Sequence, residues 1–113
     1  MQRDLLLLSE TIDATERIIE LVGGIDATSP EPDRDRVDAL LWNFTVLGEA
    51  TNQVPAELKA NHPDIPWADP CTTRNRIVHG YWSVDLDVLV ATARDDLPAM
   101  LQSVRALRDL LAS

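Results

Sequence analysis

The sequence reads as an all-α protein, an antiparallel bundle of four main helices with one additional short helix. Three observations carry this. Apolar residues recur at three- and four-residue spacing through most of the chain. Ala, Leu, Arg, Asp and Glu, which suit helices, are abundant. Aromatic residues make up only 4%, and there are only 4 glycines, which disfavours a sandwich of short strands.

The first helix is expected over Arg3–Val22, with Leu5, Leu8, Ile12, Ile19 and Val22 on its apolar face and Gly23-Gly24 as its C-terminal stop. Ile25–Asp33 contains Thr28, Ser29, Pro30 and Pro32 and reads as a loop. The second helix starts at Asp33 or Arg34 and ends at Asn52 or Gln53, its core stripe being Val37, Leu40, Leu41, Phe44 and Leu47. Trp42, Val46, Glu49 and Gln53 share an adjoining face. Pro55–Asn61 makes the short helix, since Pro55 suits a first helical position. Pro63 ends it, and Ile65-Pro66-Trp67 is extended. A third main helix covers Ala68–Val78, with Pro70 in its first turn and Gly80 as cap. Ser83 is the expected N-cap of a last helix that runs to Leu111, bent where Pro98 interrupts it.

With 113 residues the chain suits one domain, 1–113, whose thin core would benefit from packing against a second copy. Cys71 is the only cysteine, so no internal disulfide is expected, in keeping with a reducing cytoplasm. The apolar run Leu5–Leu8 is too short for a signal-peptide core or a membrane span, and suits both the core and a dimer seam. A soluble, cytoplasmic protein with no membrane partner is expected.

Ten Lys and Arg against nineteen Asp and Glu give a net charge of −9. Nucleic-acid binders are generally basic, so this chain as a whole repels RNA. Thr72–Trp82, by contrast, carries Arg74 and Arg76 with no acidic residue, while Ser83–Ser113 has five Asp against three Arg. An RNA site here must be a small positive pocket in an acidic surround. The acidity also suits a protein partner with a basic face.

Arg74, His79 and Tyr81 lie in that stretch. Histidine exchanges a proton near neutral pH, which RNA phosphodiester cleavage by the 2′-hydroxyl requires at both the attacking and leaving oxygens. Arginine adds a permanent charge whose planar fork matches phosphate oxygens. Neither role needs a metal, and neither His62 nor His79 has cysteine or carboxylate neighbours at ligand spacing. Five residues on an unbroken helix turn through about 140°, so Arg74 and His79 do not converge within one regular helix. Either the helix ends before His79, letting it swing, or two chains share their pairs across a two-fold axis.

The run Arg74-Asn75-Arg76-Ile77-Val78-His79-Gly80-Tyr81 resembles the R-x4-H-x-Y signature of HEPN-domain toxins of the HepT type. The resemblance includes Leu47-Gly48-Glu49-Ala50-Thr51-Asn52, Ile65-Pro66-Trp67, Val84-Asp85-Leu86 and Asp96-Leu97-Pro98. Cys71-Thr72-Thr73 after Pro70 departs from the usual lead-in, which touches the start of the third helix rather than the chemistry. The resemblance implies a HEPN-like homodimer, a toxin of a type VII-like toxin–antitoxin system, whose paired motifs form an endoribonuclease cleft. It implies a minimal nucleotidyltransferase antitoxin of the MntA type, which uses ATP and Mg to place AMP on the motif tyrosine; the toxin chain itself needs no cofactor. Arg74 and His79 are then catalytic, Tyr81 the modification target and Asn75 auxiliary. On the same reading an AMP group at Tyr81 competes with substrate phosphate for the positive pocket.

Other residues keep two readings each. Glu49 orients Arg74 or Arg76, accepts a second proton, or makes a half-buried ion pair between two helices. Asn52 is similarly open, and Arg76 either guides RNA or is simply solvated. Tyr81 is either the modified residue or packs with Trp82 against the bundle. Trp42 and Trp67 read as core or interface anchors, His62 as a surface residue, and Cys71 as a small core or surface residue rather than a reactive thiol. A non-catalytic module that binds a nucleotide, or docks a nucleotidyltransferase, is the alternative to the enzyme.

Overall fold

A computed structural model describes residues 2–80 and 85–113, the side chain of His79 excepted. Its helices are α1 (Gln2–Val22), α2 (Arg34–Gln53), α3 (Ala56–Asn61), α4 (Ala68–Gly80), α5 (Leu86–Asp95) and α6 (Leu97–Ala112). The described residues include no strand.

α1 buries Leu7, Leu8, Ile12, Ile18, Leu21 and Val22, while Leu5 and Ile19 are half-buried and Leu6 is exposed. Thr11 and Thr15 lie at the centre of the buried face. Each hydroxyl donates to the carbonyl four residues back, Leu7 at 2.8 Å and Thr11 at 2.7 Å, so burial leaves no hydroxyl unpaired. Gly23 and Gly24 end the helix, but not through the left-handed conformation expected of glycine caps, since neither has a positive φ. Three successive bonds from Gly23, Gly24 and Ile25 to carbonyls three residues back tighten the last turn instead.

α2 begins where expected because the Asp33 carboxylate accepts from the amides of Asp35 (3.1 Å) and Arg36 (3.3 Å). Leu40, Phe44, Leu47 and Ala50 form its buried face. Pro55 stands just before α3, at the cap rather than inside the helix. Trp67 is buried and donates its indole N–H to the carbonyl of His62 at 3.0 Å, which fixes the extended link into α4. Pro70 falls at the third position of α4, where the missing N–H has no partner to lose.

Two expectations near the motif are corrected. α4 continues past Val78 through His79 and Gly80, and Gly80 has no left-handed φ. The described N-cap of the next helix is Asp85, whose carboxylate accepts from the amide of Asp87 at 2.9 Å; Ser83 lies outside the described residues. The expected single bent C-terminal helix is two helices. Pro98 cannot donate to the carbonyl four residues back and its ring crowds that carbonyl, so the chain breaks at Asp96.

α1 is packed against α2, α5 and α6, and α2 carries α4 on its other flank. Arg105 pairs with Glu16 at 3.0 Å to join α6 to α1. Arg94 of α5 donates to the carbonyl of Val22 at 3.2 Å, placing a cation on the negative end of α1. Among the described residues no helix is long and apolar enough to cross a membrane.

Candidate functional site

The site is built on the seam between α2 and α4, and the seam depends on Gly48. A Cβ at Gly48 would lie 2.4 Å from the Cβ of Arg74 and 2.6 Å from the carbonyl oxygen of Pro70. Only the absent side chain lets the two helices approach this closely, which sets Arg74 beside Glu49. Thr72 and Thr73 return their hydroxyls to the carbonyls of Ala68 (3.1 Å) and Asp69 (3.2 Å), leaving the seam to Pro70 and Arg74.

The Arg74 side chain is 20% exposed, and its Nη1 donates to Oε2 of Glu49. Nε and Nη2 donate to Oδ1 of Asn75 at 3.2 and 2.6 Å. Nη2 also lies 3.9 Å from Sγ of Cys71, which in turn donates to Oδ1 of Asn52 at 3.7 Å. Behind Glu49 the network continues: Gln53 donates to Oε1 of Glu49 at 3.0 Å, and Arg3 of α1 donates to Oε1 of Gln53 at 3.2 Å. The Gln53 amide, and next the Arg74 guanidinium, hold the Glu49 carboxyl below its ordinary pKa.

Of the residues singled out in the sequence, the structure brings together Arg74, Asn75, Glu49, Cys71 and Asn52. Glu49 pairs with Arg74 and not Arg76, and at 52% side-chain exposure the pair is too wet to count for much in stability. Its effect is to fix where the guanidinium sits. Arg76 is exposed and forms no ion pair among the described residues. His79 is held on the same unbroken helix as Arg74, about 140° round and roughly 7.5 Å along the axis. Its backbone is helical and lies in the last turn of α4, rather than beyond the helix end. Tyr81, with its expected modification, and Trp82 lie outside the described residues.

Trp42 is not a core residue: it is 65% exposed and borders a groove of about 200 Å³ that also includes Glu10, Val46, Glu49 and Gln53. Trp67 is core. His62 is partly buried and serves through its backbone at the end of α3. Among the described residues no group of three or more His, Cys, Asp or Glu is arranged to hold a metal ion. Reasoning from sequence did not assign a role to Gly48, Gln53 or Arg3. A glycine inside a helical core stripe was the available signal for Gly48, because it costs helix stability unless something approaches closely. The Arg3–Gln53 link joins residues 50 apart and left no local trace.

The family model "Ribonuclease HepT-like" matches residues 11–107. The chain is 30% identical over 101 residues to a protein of Thermococcus cleftensis named "Probable ribonuclease HepT", covering 89% of this chain and 92% of the relative. It is 24% identical over 100 residues to a protein of Caldanaerobacter subterraneus subsp. tengcongensis (88% and 89% covered) and 22% identical over 97 residues to one of Methanocaldococcus jannaschii (86% and 89% covered), each named as a "Putative RNase". No solved structure matches the chain. With α4 and its motif inside the matched region, the chain belongs to the HepT-like ribonuclease family.

Proposed function

We propose that this protein is an endoribonuclease, the toxin of a toxin–antitoxin pair, which cuts RNA by transesterification without a metal ion at a site shared between two copies of the chain. Residues 1–113 form one HEPN-like domain on this reading. The ribonuclease names of its relatives support the activity. The observation that carries the site is α4 itself, which keeps Arg74 and His79 on one continuous helix at positions about 140° apart around its axis. A two-fold arrangement of two α4 helices lets the Arg74 of one chain work with the His79 of the other.

In the reaction, one histidine removes the proton from the 2′-hydroxyl and the 2′-oxygen attacks phosphorus. The bond from phosphorus to the 5′-oxygen breaks, and the second histidine protonates that leaving oxygen. Products are a 2′,3′-cyclic phosphate and a free 5′-hydroxyl. Arg74 balances the charge that builds on the non-bridging oxygens. Exposed Trp42 is a fitting anchor for the seam between copies. The partner is a nucleotidyltransferase antitoxin of the MntA type. It transfers AMP from ATP to the Tyr81 hydroxyl with release of pyrophosphate, and the bulky anion then blocks the site.

The net charge of −9 supports the rival reading of a binding module without catalysis. Purified protein incubated with total RNA and a chelator separates the two. Cleavage that survives the chelator and disappears in His79→Ala supports the ribonuclease, whereas intact RNA, or cleavage unaffected by His79→Ala, overturns it. Intact-mass measurement after co-expression with a nucleotidyltransferase, on wild type and Tyr81→Phe, tests the modification.

A further inference from the structure

A guanidinium offers five N–H donors in one plane, and the edge formed by Nε and Nη2 carries two parallel bonds suited to two oxygens of a phosphate. In Arg74 both donors of that edge meet a single neutral acceptor, Oδ1 of Asn75, at 3.2 and 2.6 Å. Adjacent positions on a helix do not face each other, so this contact requires the guanidinium to fold back over its own helix. Glu49 takes Nη1 on the other side. The two partners differ in how firmly they are held. Asn75 is exposed and its side chain makes this contact alone among the described residues, whereas Glu49 is braced by Gln53 at 3.0 Å and through it by Arg3 at 3.2 Å.

We infer that Asn75 is a displaceable stopper on the phosphate-gripping edge of Arg74, while Glu49 is the anchor that keeps this edge aimed as an RNA phosphate replaces the amide oxygen. The inference rests on the reading of Arg74 as the phosphate-holding group. One neutral oxygen shared between two donors yields to two anionic oxygens, because charge-assisted bonds are about twice as strong as neutral ones. Asn75 is thus a positioning residue that acts through Arg74. It keeps the guanidinium ordered between turnovers and withdraws without carrying charge away. An aspartate in its place would supply a competing anion that never leaves.

The test uses the whole chain and inorganic phosphate as probe. The Arg74 Nε–H resonance, identified by its loss in Arg74→Lys, is followed by NMR as phosphate is added to wild type, Asn75→Ala, Asn75→Ser and Asn75→Asp. Removal of the stopper should tighten phosphate binding about three- to tenfold in the Ala variant, the fold-change implied by the net worth of one neutral hydrogen bond. The Asp variant should bind at least about tenfold more weakly. A purely structural role would not move affinity in opposite directions for Ala and Asp. Equal affinities in all variants, or weaker binding in both Ala and Ser, would overturn the inference. If wild type cleaves RNA while the affinities stay equal, the stopper fails and the ribonuclease reading stands. If the affinities follow the expected order but wild type leaves RNA intact, the ribonuclease reading fails and the stopper stands.

Discussion

Arg74 is held by its shape as much as by its charge, since three different donor atoms serve Glu49, Asn75 and the neighbourhood of Cys71. A lysine keeps the charge but has no planar fork. Arg74→Lys is therefore expected to lower kcat for RNA cleavage by about 10²- to 10³-fold, the loss typical of removing one donor set that stabilises developing negative charge. Single-turnover kinetics on a defined RNA would measure it. Gly48→Ala poses the opposite balance. Alanine improves helix propensity by about 1 kcal/mol, yet its Cβ meets backbone at Pro70 and the stem of Arg74. We expect the collision to dominate, with a net loss of about 1–3 kcal/mol in urea unfolding, as for other overpacked sites. For Glu49, a folded-state pKa below the ordinary one means that its contribution is complete above the usual glutamate range and is lost as pH falls through the lowered value. The melting-temperature gap between wild type and Glu49→Gln should thus be constant at neutral pH and close only as pH falls through that lowered value.

At the scale of elements, helix starts are local chemistry, and that of α2 was readable, whereas the last helix was expected to start at Ser83 and the described caps are Asp85 for α5 and Asp96 for α6. Asp33 and Asp85 cap α2 and α5 through their own side chains. Asp33→Ala should lower stability by about 1 kcal/mol while Asp33→Asn leaves it nearly unchanged, checked by thermal melting. The Asp33 start was legible because the capping carboxylate, the preceding prolines and the first apolar turn all lie within a few residues. Where helices end was less so. Gly23-Gly24 marked the right place but the wrong geometry, since the turn there tightens and φ stays negative. Pro98 signalled a disturbance; whether it bends a helix or splits it depends on how Leu97 and Met100 pack, which spacing does not reveal. The candidate site divides in the same way. The motif residues of α4 are adjacent in sequence and could be picked out together. Their contacts with Glu49, Gln53 and Arg3 arise only once α1, α2 and α4 are assembled.

For the whole molecule, shared sites make a prediction that no single-chain site shares. Refolding wild type together with His79→Ala chains should depress RNA cleavage below the wild-type share, because a mixed dimer keeps only one of the two histidines that act as base and acid. Activity that follows the wild-type share in simple proportion would argue for a site within one chain. The acidic background adds a second expectation. With Arg74 and Arg76 the cations of the motif, few counterions are released on binding, and RNA affinity should fall only shallowly with salt compared with ordinary basic nucleic-acid binders.

The order of packing, with α5 and α6 on one flank of α1 and α4 on the far flank of α2, gives the bundle an uneven kinetic anatomy. The α1–α2 pair is the spine that both flanks require, so its amides should exchange with deuterium only through global opening. The corner between α5 and α6, with Leu97 and Met100, borders a small cavity shared with Phe44, Leu47 and Pro70, so opening of the C-terminal flank uncovers one side of the α2–α4 seam. Amides of α6 are expected to exchange sooner than those of the buried turns of α2. A protein built this way ties the opening of its C-terminal helices to the seam that holds Arg74 beside Glu49.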